Sequence, residues 1–145
     1  MGYDLHITRK EDWSDEDSDR NISLAEWLEY INKDTELKIS EDYQIKNPQK
    51  SDETIPAPGF CDWLNHPQKE EYWFLYNQGN IETKNPDEHA IIKMLSIANN
   101  FNAKVQGDDG EVYSIASSSK IIADDGSGKI TIINPDKKPW WKFWS

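Results

Sequence analysis

The chain has 145 residues, with 27 acidic against 16 basic side chains, a formal net charge of −11 and a single cysteine. That length suits one domain with a genuine core, and one cysteine excludes an internal disulfide framework. No segment approaches the run of about 18 apolar residues that spans a membrane, and with no apolar run near the N-terminus the expected location is the cytoplasm.

The charge is lopsided: residues 1 to 42 carry 13 acids and 5 bases, and residues 43 to 145 carry 14 and 11. A negative field of this kind repels nucleic acid and anionic lipid and attracts cationic surfaces. The expected partner is therefore a cationic protein and not a nucleic acid.

Tyr3, Leu5 and Ile7 alternate with Asp4, His6 and Thr8, the period of a strand with one buried face. Next comes RKEDWSDEDSDRN, where six acids fall within nine residues from Glu11 to Asp19 around Trp13. No core accommodates that density, so the segment reads as an exposed loop. Ser23 and Glu26 then form a capping box, Ile22 and Trp27 stand at staple positions, and Leu24, Trp27, Leu28 and Ile31 recur at helical spacing. The predicted helix covers residues 24 to 33.

LKIS and YQIKN read as a modest hairpin, and the proline-rich stretch from 48 to 70 as a long loop. YWFLYN and NIETK flank a turn at Gly79, giving a second hairpin. A second helix follows, with Asn85 as its predicted N-cap, Pro86 at its first position and Ile91, Leu95, Ala98 and Phe101 as its core stripe. Asn102 suits a left-handed termination. Two more hairpins close the domain, AKVQ with EVYSI and KIIA with KITII. The expected fold class is α+β: a mainly antiparallel sheet built from hairpins with two helices packed on one face. The domain spans residues 1 to 135, followed by a tail from 136 to 145 in which Trp140, Trp141 and Trp144 would share one helical face, packed on the domain or offered to a partner.

The last hairpin turn, ADDGSGKITIIN, imitates a calcium loop. Aligning Gly128 with the invariant glycine puts Asp125 and Ser127 at ligand positions, but Ala123 and Asn134 at the two anchoring carboxylate positions. Asp124 to Gly128 is therefore read as a turn, and no metal is expected. The acidic run lacks ligand spacing, and no zinc spacing, phosphate loop or dinucleotide fingerprint occurs, so no cofactor is expected either. Cys61 and His66, five residues apart, are the one pair that could act as nucleophile and base.

GYDLHITRKEDW, ISLAEWLEYI, YNQGNIETKNPDE and NAKVQGDDGEVY, taken in order, resemble a family of small acidic bacterial cytoplasmic proteins. Its members are similar in context to the immunity proteins of bacterial toxin systems. The resemblance brings no catalytic residues with it. It implies a non-enzymatic domain that neutralises a toxin by occluding it. For a basic toxin, the acidic loop around Trp13 and the turn acids give the expected partner-binding set: Asp12, Trp13, Asp15, Glu16, Asp17, Asp19, Asp108, Asp109, Asp124 and Asp125. The alternative expectation is a small enzyme or ligand-binding domain with a cleft near residues 48 to 70, using Cys61 and His66.

Overall fold

The computed structural model describes residues 3–16, 18–40, 44–47, 49–50, 52–115, 121–126 and 130–133. The tail from 136 to 145, Asp17 and residues 127 to 129 of the last turn lie outside the described residues.

In chain order the elements are β1 (Asp4–Thr8), α1 (Leu24–Lys33), β2 (Leu37–Ile39), β3 (Gln44–Lys46), β4 (Thr54–Pro56), β5 (Cys61–Trp63), β6 (Tyr72–Asn77), β7 (Asn80–Lys84), α2 (Glu88–Asn100), β8 (Lys104–Gly107), β9 (Val112–Ile115), β10 (Ile121–Asp124) and β11 (Ile130–Ile133). Among the described residues nine strands join in one sheet in the order β11-β10-β9-β8-β1-β7-β6-β5-β2, while β3 and β4 form a separate ribbon. The described pairings are antiparallel, and the helices pack against one face, giving the expected α+β architecture.

β1 occupies the middle of the sheet. Leu5 and Ile7 point into the core and are fully buried, as the alternation predicts. His6 and Thr8, on the opposite face, are buried as well. The chain after β1 folds back over that polar face, so both sides of the strand are covered.

α1 spans the predicted residues. Ser23 Oγ accepts from the Glu26 N–H at 3.1 Å, and Glu26 returns the bond from Ser23 N–H at 2.8 Å. Its Trp27 is fully buried and donates its indole N–H to Gly59 O at 2.8 Å. α2 begins later than predicted. Asn85 takes a left-handed φ of 47° and trades hydrogen bonds with Tyr3, accepting Tyr3 N–H on its side chain and donating its own N–H to Tyr3 O. It ties the end of β7 to β1, and the capping role passes to Asp87, which accepts from Ala90 N–H at 2.9 Å. Asn102 ends α2 region with φ 52°, as predicted.

The three hairpins β6–β7, β8–β9 and β10–β11 form where predicted. The LKIS–YQIKN hairpin does not. β2 pairs with β5, and β3 pairs with β4. The expected long loop from 48 to 70 thus contains two short strands, one of them carrying Cys61 and Trp63 into the core. β6 changes partner midway: Tyr72 to Phe74 pair with β5, and Leu75 to Asn77 with β7.

Candidate functional site

The chain leaves β1 and doubles back across the polar face of the sheet, forming an arch over residues 9 to 16. Lys10, buried, donates its ammonium to Gln78 O at 2.8 Å, and Lys104 Nζ donates to Glu11 O. Trp13 N–H donates to Gln106 Oε1 at 2.7 Å, and Trp13 O accepts from Asn80 Nδ2 at 2.8 Å. Gln106 is held in turn, its amide donating to Gly110 O at 3.0 Å. These bonds lay the Trp13 indole flat on the His6 ring, with centroids 3.9 Å apart and planes 2° from parallel.

His6 is 2% exposed. Its Nδ1 lies 2.6 Å from Glu82 Oε2 and its Nε2 lies 2.9 Å from Asp108 Oδ1. Carboxylates accept, so both ring nitrogens must donate, and the ring is held as a cation under an aromatic face. Burial opposes that charge, but the bonds to Glu82 and Asp108 outweigh it, and the His6 pKa is raised. The carboxylates have further ties: Asp108 Oδ2 accepts Asp4 N–H at 3.0 Å, and Glu82 Oε1 accepts from Asn77 Nδ2 at 3.2 Å. Burial and the neighbouring Asp108 charge raise the Asp4 carboxyl above its usual range.

The structure thus brings Trp13 and Asp108 together through His6. Asp12 and Asp15 fold the arch on itself, with Asp12 N–H donating to Asp15 Oδ2 at 3.0 Å and Ser14 Oγ donating to Asp12 Oδ2 at 2.7 Å. Asp15, Glu16 and Asp19 are exposed, Asp19 in the 3-10 turn Ser18–Arg20. Asp109 is exposed in the β8–β9 turn. Cross-strand register sets Leu75, Glu82, His6, Gln106, Val112 and Asp124 in one row, so Asp124 belongs to the face that carries the arch. It stands three strand spacings from His6, about 14 Å. Its Oδ1 accepts Gly126 N–H at 2.9 Å, and Asp125 beside it is exposed.

His6, Glu82, Gln106 and Asn80 were not singled out as site residues by the sequence reading. The signal was the polar alternation of β1 facing that of β7, which becomes visible only once the two strands are known to be neighbours.

Cys61 and His66 are not brought together. Cys61 is fully buried among core side chains, and burial pushes its thiol up to about 12. His66 Nε2 lies 2.6 Å from Asp87 Oδ2, while its Nδ1 accepts N–H bonds from Gln68 at 3.0 Å and Glu70 at 3.4 Å. The ring is therefore the neutral tautomer protonated at Nε2 and donating to Asp87. His66, Glu70 and Asp87 offer ligand atoms within 4.8 Å of one another. The donor set does not fit a metal. Coordination at Nε2 would leave a ring with both nitrogens unprotonated, since Nδ1 is already committed as an acceptor. The pair is a fastening between the 66–70 turn and the N-terminus of α2.

Among the described residues no helix is long and apolar enough to cross a membrane. Comparison with protein-family models, with curated proteins and with solved structures gave no match.

Proposed function

We propose that the chain is a non-enzymatic binding domain that docks a cationic protein against the arch-covered face of its sheet, acting as a cytoplasmic immunity protein that occludes a basic bacterial toxin. The observation that carries this reading is the fastening of the arch. An acidic segment that served only solubility would need no buried cation beneath it, no stacked indole and no amide clamp. Here Asp15 and Glu16 project from a backbone held by Gln106, Asn80 and Lys104, and Asp124 shares the same face. Acids presented on a rigid support steer a basic partner quickly and lose little conformational freedom when it docks. A cysteine–histidine enzyme draws no support from a buried thiol and an imidazole committed to Asp87.

The test is a toxin domain encoded beside this chain. It should be bound and neutralised, and reversing Asp15, Glu16 and Asp19 to lysine should slow association by about one to two orders of magnitude at low salt while flattening its salt dependence. Unchanged association rates would remove the arch from the interface.

A further inference from the structure

A second acidic feature lies where the ends of β5 and β6 open into a groove of about 600 Å3. Trp63 and Tyr72 line it from the helix-packed side of the sheet and Trp73 from the opposite side, while Asp62, Glu70 and Glu71 contribute carboxylates. Among the described lining residues Lys69 is the single cationic side chain, and His66 is neutral by its tautomer. Leu64, also in the lining, is 60% exposed.

The helix-packed side of the groove is built. Its rim is the 66–70 turn, which wraps the His66 ring: two backbone N–H groups donate to Nδ1 while Nε2–H is anchored on Asp87 at the start of α2. To close that wrap Lys69 adopts φ 60°, a conformation that costs a non-glycine residue energy and persists where surrounding contacts enforce it. Tyr72 is held from two sides, its hydroxyl donating to Glu70 Oε2 at 3.4 Å and accepting Asp87 N–H at 3.2 Å. Trp73 stacks on Phe60 with centroids 5.3 Å apart, yet remains partly exposed. It stands directly across from Asp62 in the β5–β6 ladder, so an indole and a carboxylate sit side by side on one face.

We propose that this groove is a subsite for an arginine side chain of a basic polypeptide, the guanidinium stacking on Trp73 and sharing its N–H donors with Asp62. A flat aromatic face beside a carboxylate matches a guanidinium, which stacks and forks in one plane, better than an ammonium, which is compact and strongly hydrated. Glu70 and Glu71 add field of the same sign. The proposal rests on the reading that the partner is cationic and names the side chain by which that partner would be gripped beyond the arch.

The experiment titrates a capped Gly-Arg-Gly peptide into the full chain and follows backbone and indole N–H resonances. The expected result is saturable shifts at Trp73, Asp62 and Glu70 to Tyr72, with a dissociation constant on the order of millimolar. Asp62→Asn and Trp73→Ala should each weaken binding about fivefold or more, and the matched lysine peptide should bind a few times more weakly. Asp62 is only partly buried at the sheet surface, so its substitution reads the subsite even if the Trp73 variant misfolds. Shifts that fail to saturate, or that survive Asp62→Asn, would overturn the subsite. A toxin that does not bind, with peptide binding intact, would overturn the immunity reading and leave the subsite standing.

Discussion

At the scale of single residues, His6 links stability to pH. Its folded pKa lies above the ordinary value of about 6.5 because Glu82 and Asp108 hold both ring N–H groups. A group shifted upward contributes stability that is fully present below the unfolded pKa and is lost as pH rises through the folded one. Urea denaturation from pH 6 to pH 9 should therefore show unfolding free energy declining across this window. His6→Gln should lower stability by about 2 kcal/mol at pH 6, since it leaves two carboxylates without their cation, and should flatten the decline. A variant with the wild-type slope would mean that another group supplies it. Cys61 makes a separate prediction. With its side chain fully buried and the thiol pushed up to about 12, labelling by a disulfide reagent at pH 8 should proceed only at the rate of opening, and His66→Ala should not change the chemical reactivity of the unfolded thiol. Fast labelling of the folded chain that depends on His66 would revive the enzyme alternative.

At the scale of elements, the crossing of α1 over β6 depends on Gly59. Its φ is 79°, and an added Cβ would lie 2.7 Å from Tyr76 Cβ and 3.0 Å from Trp27 Cδ1, at the carbonyl that takes the Trp27 indole bond. Gly59→Ala should destabilise the fold by about 2 to 4 kcal/mol, read as a lower urea midpoint with unchanged slope, whereas Gly126→Ala, with open space around it, should cost about 1 kcal/mol. Elements whose partners are near in sequence were legible. Ser23 and Glu26 announced α1 to the residue, and glycine at 79 announced its hairpin, because the chemistry of a cap or a turn is contained in four to six adjacent side chains. β5 was hidden. Three residues, Cys61 to Trp63, carry too little periodicity to stand out among prolines, and the strand exists because Leu37 and Tyr72 lie on either side of Trp63. Asn85 was misread for a related reason. Its residue type suits a cap, but Tyr3, 82 positions away, claims both its amide and its backbone.

At the scale of the whole molecule, the central place of β1 decides where the charge sits. β1 pairs with β7 and β8 at once, so the acidic segment that follows it is laid over the middle of the sheet instead of trailing from an edge. The acids themselves were legible from composition, as was the unusual Trp13 among them. Their support was not, because Glu82, Gln106 and Asn80 reach the arch only through that long-range pairing. This separates two contributions that the proposed complex should show independently. Charge at Asp15, Glu16 and Asp19 governs how fast a basic partner arrives, whereas the Trp13 fastening governs how much freedom the arch surrenders on docking. Trp13→Ala removes the stacked ring over His6 while keeping every acid. The substituted protein should keep the steep salt dependence of association, but its complex should dissociate about tenfold faster, and its arch amides should exchange with solvent sooner in the free protein. Stopped-flow mixing and hydrogen exchange measure these outcomes. An unchanged dissociation rate in a protein whose arch has demonstrably loosened would show that the partner grips the molecule elsewhere.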